Sequence, residues 1–345
     1  MKEKSRVAVI ILNWNGKKFL EDFLPGVCRH TGNMADIYVA DNASTDDSVA
    51  FMQQNFPDVH IVTNPRNGGF AYGYNASLGQ IKAEYYILLN SDVEVTPGWI
   101  EPIINMMDKD PAIGAVQPKI KSFTNPGSFE YAGAAGGFID VYGYPFCRGR
   151  IFDTIEKDEK QYDGEKEIFW ATGACLFIRA DLYHQLGGFD EDLFSHQEEI
   201  DLCWRMKLRG YKVMFCSASE VMHYGGGALP KSNPFKTYLN FRNNLIILCK
   251  NHPSGTLAWK IFVRMVLDGI AGLRFLLMGN RKDTMAIIKG HWDFYMSLPH
   301  TLKKRKDLKN MELKPITCVY KRSIVKKYFI QRKVYFSQLN QSDFS

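Results

Sequence analysis

The first half of this 345-residue chain predicts an α/β fold with a mostly parallel central sheet flanked by helices, and two observations carry that reading. Short β-branched or apolar runs alternate with longer helix-like stretches, which is the pattern of βαβ units. The apolar runs also end in clusters of polar residues, and open α/β sheets bind ligands at the carboxyl ends of their strands.

The expected strands are residues 7–12, 36–40, 59–63 and 85–89. They end in Asn13 and Asn15, in Asp41 and Asn42, in Asn64, Arg66 and Asn67, and in Asn90, Ser91 and Asp92, so these side chains are expected to converge. The N-terminus is basic, but the six apolar residues that follow fall short of the roughly 7–15 of a secretion-signal core, and the segment reads as a buried first strand. Between Lys119 and Lys166 the pattern loosens into Gly, aromatic and charged residues, which reads as hairpins or long loops forming a lid or variable insertion. Regularity returns with a strand over 174–179, helices over 181–186 and 198–209, and a strand over 211–216. The main domain is expected to close near Gly227, which divides the chain into 1–230 and a helical, basic extension over 231–345.

Composition narrows the class. With 46% apolar residues and 23% charged ones, the chain can bury a large core and is not disordered. Seven cysteines, odd in number, scattered and without a Cys-x-x-Cys pair, argue against a disulfide framework or structural zinc and suit a reducing cytosol. The net charge of +6 is uneven: residues 301–335 carry twelve Lys or Arg against Asp307 and Glu312, a local +10, which leaves −4 for the remainder. Such a block is a solvated face or a tail for anionic lipid or nucleic acid. Residues 257–278 are mostly apolar but carry Lys260, Arg264 and Asp268 at four-residue spacing, one charged stripe on a helix. Charges at mid-span cost about 2.5–3.5 kcal/mol each, so the segment reads as an amphipathic helix, lying in a membrane interface or packed on the main domain.

Several segments carry chemistry. In 41–48, Asp46 or Thr45 suits a helix cap, whereas Asp41 stands at a strand end, where a carboxylate can accept hydrogen bonds from a nucleobase or ribose. Residues 67–75 form a glycine-rich turn opening a helix; glycine permits close backbone approach, and a helix N-terminus favours anions. The turn matches neither the dinucleotide fingerprint nor a P-loop. Asp92 directly follows an apolar strand and suits Mg²⁺ or Mn²⁺, which take oxygen ligands from one or two carboxylates and substrate phosphates. Glu198, Glu199 and Asp201 open a helix; the helix dipole accounts for them in part, and close like charges raise one another's pKa, which tunes a general base. His223 reads as lying in a Gly-rich turn after the last strand, where a lone His is more often structural.

Taken in order, residues 10–16, 41–48, 67–75, 88–99 and 172–205 resemble the inverting family 2 glycosyltransferases of GT-A fold, especially rhamnosyltransferase-like members that build bacterial surface polysaccharides. The resemblance spans about 6–227 and implies a nucleotide-diphosphate sugar donor, linked to UDP or dTDP, and a glycan or lipid-linked acceptor. Asp41 looks like the acid that reads a pyrimidine base, with Asn13, Asn15, Asn42 and Ser44 beside it; Arg66, Gly69 and Asn75 look like nucleotide contacts. Asp92 matches the last residue of the metal-binding Asp-x-Asp motif, whose first acid is here Asn90, with Ser91 between. His223 resembles a late histidine that completes metal or diphosphate contacts in some members. Glu199 stands where the family places its base, a Glu for the usual Asp, with Glu198 and Asp201 as alternatives. Gly173 and Ala174 match an acceptor-side loop, and Trp204 and Arg205 follow on the same helix.

The implied activity is metal-dependent hexosyl transfer at the inner face of the cell membrane, with peripheral contact through the C-terminal basic and amphipathic region and no nucleic-acid partner. A sugar nucleotidyltransferase would need a basic glycine-rich loop for a triphosphate, which residues 10–18 do not supply. A non-catalytic protein that retained the fold sits poorly with intact carboxylates at Asp41, Asp92 and Glu199.

Overall fold

The computed structural model describes residues 6–225, 233–253, 255–309 and 312–345. In chain order its strands and helices begin β1 (Val7–Asn13), α1 (Lys17–Thr31), β2 (Asp36–Asp41), α2 (Ser48–Asn55), β3 (His60–Thr63), α3 (Gly69–Leu78), β4 (Tyr85–Asn90), β5 (Val93–Val95), α4 (Glu101–Lys109) and β6 (Ile113–Ser122). Then come β7 (Gly137–Asp140), β8 (Pro145–Cys147), β9 (Arg150–Ile151), β10 (Thr154–Ile155), β11 (Glu165–Ile168), β12 (Cys175–Arg179), α5 (Ala180–Gln185), α6 (Glu198–Leu208) and β13 (Lys212–His223). The chain finishes with α7 (Pro234–Asn251), α8 (Leu257–Leu277), α9 (Arg281–Lys309) and β14 (Val319–Tyr320).

The main sheet runs β11-β13-β6-β12-β4-β1-β2-β3, with β5 paired to the far end of β13. The strands β4, β1, β2 and β3 are parallel, as expected, but β12 enters antiparallel between β4 and β6, so the sheet as a whole is mixed. β1 reads as apolar throughout because both of its faces are covered: Ala8 and Ile10 join one core cluster, and Val7, Val9 and Ile11 the other. Register does the work for the site. Asn13 pairs with Asp41, Leu12 with Asn90, and Asp41 with Thr63, so three strands deliver their polar ends to one edge.

Two expectations change. The stretch 119–166 holds the expected hairpins but is more regular than a loop: β6 extends through Ser122, and β7 to β10 form a second sheet of order β10-β9-β8-β7-β14. Its last strand comes from the far end of the chain. Phe336 and Phe344 close over Phe138, with ring centroids 5.2 and 5.3 Å away, so the C-terminal stretch completes a core begun about 180 residues earlier. β13 also runs past the expected end at Cys216, through an irregularity between Cys216 and Glu220, to His223. Gly227 and the boundary at 230 lie outside the described residues.

The charged stripe of α8 faces inward. Arg264 and Asp268 are buried, the guanidinium lies 3.6 Å from the Tyr144 ring centroid, and the Tyr144 hydroxyl donates to Asp268 at 2.6 Å. The seven cysteines are free, and no described helix is long and apolar enough to cross a membrane.

Candidate active site

At the edge where β1, β2 and β4 end, Asp41 is buried and accepts from the Ser44 amide at 3.1 Å and from Asn13 Nδ2 at 3.4 Å. Asn13 also reaches Ser44 Oγ at 3.2 Å, while its own Oδ1 is buried without a protein partner. A Cβ on Gly16 would stand 2.5 Å from that oxygen and 3.9 Å from Ser91 Oγ, so glycine at 16 keeps the Asn13 acceptor open beside Ser91. Asn15, at φ 49°, accepts from the amides of Thr45 and Asp46 at 2.7 and 3.2 Å, and its own amide donates to Ser44 Oγ at 2.9 Å. These bonds pin the loop after β2 against the loop after β1. Asn42 donates to Asn67 Oδ1 and to the Gly69 carbonyl, which ties in the glycine-rich turn.

Asp92, in the turn between β4 and β5, faces His223 at the end of β13, with Oδ1 to Nε2 at 3.1 Å. His223 is therefore a strand residue, not part of a turn. Its Nδ1 lies 3.4 Å from Glu130 Oε2, a carboxylate that the sequence reading missed because it sits in the irregular stretch after β6. Burial pushes the His223 imidazole down, but hydrogen bonds and charge from Asp92 and Glu130 outweigh it and carry its pKa up to about 10. Among the described residues no set of three or more His, Cys, Asp or Glu side chains is arranged to hold a metal by itself. Asp92 offers a carboxylate oxygen at this strand end, which fits a Mg²⁺ or Mn²⁺ whose other ligands are water and substrate phosphate; His223, protonated while it spans Asp92 and Glu130, would add a nitrogen only on losing its Nε2 proton.

The second half of the site is the start of α6. Phe194, His196 and Gln197 all take positive φ, 62°, 69° and 71°, so the chain enters the helix through a tight, sterically costly loop. That loop is gripped from outside: Asn243 on α7 donates to the carbonyls of Leu193, Ser195 and His196 at 3.0, 2.9 and 2.8 Å, and Asn244 donates to Gln197 Oε1 at 2.9 Å. From inside, the amides of Phe70 and Ala71 donate to the Phe194 carbonyl, so the first amides of α3 serve this loop instead of facing an anion. Gly69, at φ 87°, is required there because a Cβ would meet the Phe194 oxygen at 2.5 Å.

The three acids behave differently. Glu198 is buried with Oε2 unpartnered, and burial followed by repulsion from Glu199 holds its carboxyl well above the usual range. Glu199 is only half-buried; burial pushes it up to about 7, against the backbone amides at the helix start. Asp201 is fully buried yet ionised, because Arg205, at 2.8 Å, and Lys250, at 2.7 Å, outweigh the cost of burial. Asp201 is thus a structural anion and not an alternative base.

Four further residues lie elsewhere than expected. Arg205 also donates to the carbonyls of Leu186 and Gly188, and Trp204 packs edge-on against Phe169 in the core, so neither faces an acceptor. Asn75 spends its amide on Tyr183, Phe189 and Glu191, bracing the loop after α5. Arg66 lies over the Tyr72 ring at 4.5 Å. Gly173 and Ala174 do join the two halves: the Ala174 carbonyl accepts from the Asn90 amide at 3.0 Å, the Ala171 amide reaches Cys203 of α6 at 3.5 Å, and Gly173 faces Phe70. A cleft of about 470 Å³ between α7 and α9, lined by Tyr238, Arg242 and Asp293 among others, contains none of these residues.

Comparison with known proteins finds glycosyltransferases. An L-rhamnosyltransferase of Mycobacterium tuberculosis named for N-acetylglucosaminyl-diphospho-decaprenol is 26% identical over 288 residues, covering 78% of this chain and 92% of its own. The low-salt glycan biosynthesis hexosyltransferase Agl10 of Haloferax volcanii is 22% identical over 249 residues, covering 70% and 74%. Among solved structures, S. aureus TarS 1-349 with UDP-GlcNAc superposes with a TM-score of 0.55 at 14% identity, over 96% of this chain and 93% of that one. The mannosyltransferase PcManGT of Pyrobaculum calidifontis, with GDP-Man and Mn2+, gives 0.52 at 15% identity, over 89% and 85%. The fold is the GT-A fold of these glycosyltransferases. The family model for glycosyl transferase family 2 matches residues 8–187, ending before α6, and by that match over more than half its length the chain belongs to glycosyl transferase family 2.

Proposed function

We propose that the protein is an inverting, metal-dependent glycosyltransferase that moves a hexose from a UDP- or dTDP-linked donor to a lipid-linked or glycan acceptor. The arrangement that carries this reading is a polar edge at Asn13, Asp41 and Asp92 joined, through residues 171–174, to a half-buried Glu199 whose carboxyl is pushed up to about 7. In this reading residues 1–230 form the catalytic unit and 231–345 supply its outer support. The mycobacterial relative, named for a diphospho-decaprenol acceptor, supports the lipid-linked choice.

Asp41 and Asn13 receive the base or ribose, with Asn15, Asn42 and Ser44 fixing the loop around them and Asn90 and Ser91 at its border. A divalent cation bound at Asp92 and His223 would neutralise charge on the departing diphosphate. Glu130 orients the His223 ring through Nδ1, as partners behind a metal-ligating His commonly do. Glu199 takes the proton of the acceptor hydroxyl while that oxygen bonds to the anomeric carbon; the bond to the nucleotide diphosphate breaks on the opposite face, and the electron pair leaves with the diphosphate. A pKa of about 7 suits a base at neutral pH, since a sizeable fraction is ionised and the conjugate acid is not too weak. Single displacement inverts the anomeric centre. NMR of the first-formed product tests this: an inverted anomer is expected, and a retained one would rule out direct attack assisted by Glu199.

A further inference from the structure

The hairpin of α8 and α9 is built inside out, and this feature plays no part in the transfer reaction. Along α8, Arg264 and Asp268 point inward to Tyr144, Asn244 and His291, where the charges are neutralised within the protein. The opposite face carries Trp259, Phe262, Val266, Ile270 and Leu273, spaced by three and four residues and all exposed, with Trp259 at 62% and Ile270 at 60%. α9 repeats the pattern with Met285, Ile288, Trp292 and Met296, the last two both 67% exposed. The two faces meet, because the Tyr295 hydroxyl contacts Met265 Sδ at 2.6 Å and both of those side chains are themselves partly exposed. Soluble surfaces rarely leave so many large apolar side chains contiguous and uncovered.

We propose that this face lies in the headgroup region of a lipid bilayer with a net negative surface. Charge favours that occupant: the exposed charged side chains among the described residues of the hairpin, including Arg274, Arg281, Lys282, Lys303 and Lys306, are basic, while Asp283 and Asp293 are held by Thr237 and by Lys289 with Tyr238. A two-fold dimer through the same face would set these cations against their own copies. Spanning is excluded for the described helices by length and hydropathy, so the hairpin lies in the plane, with the two Trp rings at interface depth. The contact surface is therefore the apolar outer face of the hairpin, not the charged stripe of α8, and the proposal does not depend on the catalytic reading.

Sedimentation with vesicles tests it, comparing the full-length protein with an Ile270→Glu/Trp292→Glu double variant. The vesicles are phosphatidylcholine alone or phosphatidylcholine with a minority of phosphatidylglycerol. The wild type is expected to pellet with the anionic vesicles and more weakly with neutral ones. The variant is expected to bind at least about tenfold more weakly, while both forms melt at the same temperature and run as monomers. Equal binding by the two forms, or a wild type that stays in the supernatant, would overturn the proposal. So would a wild-type dimer that the variant dissolves, since a second copy would then cover the face. Donor hydrolysis measured on the same samples separates the two readings, because its absence from both forms would count against catalysis alone.

Discussion

Replacing Asp201 with Asn separates a structural anion from a catalytic one. Asp201 Oδ2 meets the Arg205 guanidinium at 2.8 Å, and Oδ1 meets Lys250 Nζ and Asn251 Nδ2, each at 2.7 Å, with no solvent exposure. Lys250 is shared with Asp190, which itself binds Lys304, so the two carboxylates together link α6, α7, α9 and the loop after α5. Asparagine keeps the shape but removes the charge, and it turns one acceptor into a donor facing cations. Breaking one partner of a buried ion pair costs about 3–5 kcal/mol. With an unfolding entropy of about 2.1 cal/mol/K per residue, a 345-residue chain should lose about 4–7 °C in Tm. The sign with pH follows from the depressed pKa of Asp201: its contribution is fully present above the unfolded carboxylate value near 4 and is lost as pH falls through the lower folded value. Calorimetry of both forms at neutral and acidic pH should therefore show a gap that narrows on acidification, with kcat at 25 °C reduced far less than by any change at Glu199. An unchanged Tm together with a collapsed kcat would refute the assignment and return Asp201 to the list of bases.

Glu199→Gln should lower kcat by about 10²–10⁴ with donor affinity retained, the usual share of a general base. In the wild type kcat/KM should rise with pH through an apparent pKa of about 7, as Glu199 loses its proton, and a profile flat across that range would contradict the role. Asn243→Ala removes an amide whose two hydrogens are shared among three carbonyls of the loop before α6, a loss of about 1–3 kcal/mol. Its kcat should fall while donor KM holds, and its acid limb should drift toward the ordinary carboxylate range; an unchanged pH profile would show that α7 does not set the position of Glu199. Asp92→Ala should abolish the part of donor binding that manganese adds, as measured by calorimetric titration, and equal affinity with and without chelator in the wild type would remove the metal from Asp92.

Much of the polar edge was legible in the sequence because parallel strands of a buried sheet announce themselves as apolar runs, and their polar exits are contiguous with those runs. The register places Asn13, Asp41 and Asn90 together, and because each follows an apolar run their convergence could be expected. The second sheet could not, since β14 pairs with β7 across about 180 residues and neither strand exceeds four residues. Separation along the chain, though shorter, likewise hid the roles of Asp201 and Glu130, whose partners come from α7 and from the end of β13. Periodicity did reveal a charged stripe on α8, but period fixes only that two faces differ. Which one turns inward was decided by Asn244, whose Oδ1 accepts from Arg264, and by Tyr144, whose ring covers Arg264 and whose hydroxyl donates to Asp268. Asn75 and Gly69 illustrate a different limit: their residue types suit a ligand contact and a loop brace equally, and here Asn75 bonds to Tyr183, Phe189 and Glu191 while Gly69 leaves room for the Phe194 carbonyl.

The most direct measurement of the central claim is turnover of a panel of nucleotide sugars by wild type and Glu199→Gln, with manganese, with magnesium and with chelator. The account predicts that the wild type consumes one pyrimidine-linked sugar in a metal-dependent way, and that the variant binds the same donor but scarcely turns it over. Turnover by the variant at the wild-type rate, or no binding of any pyrimidine-linked sugar by either form, would contradict it.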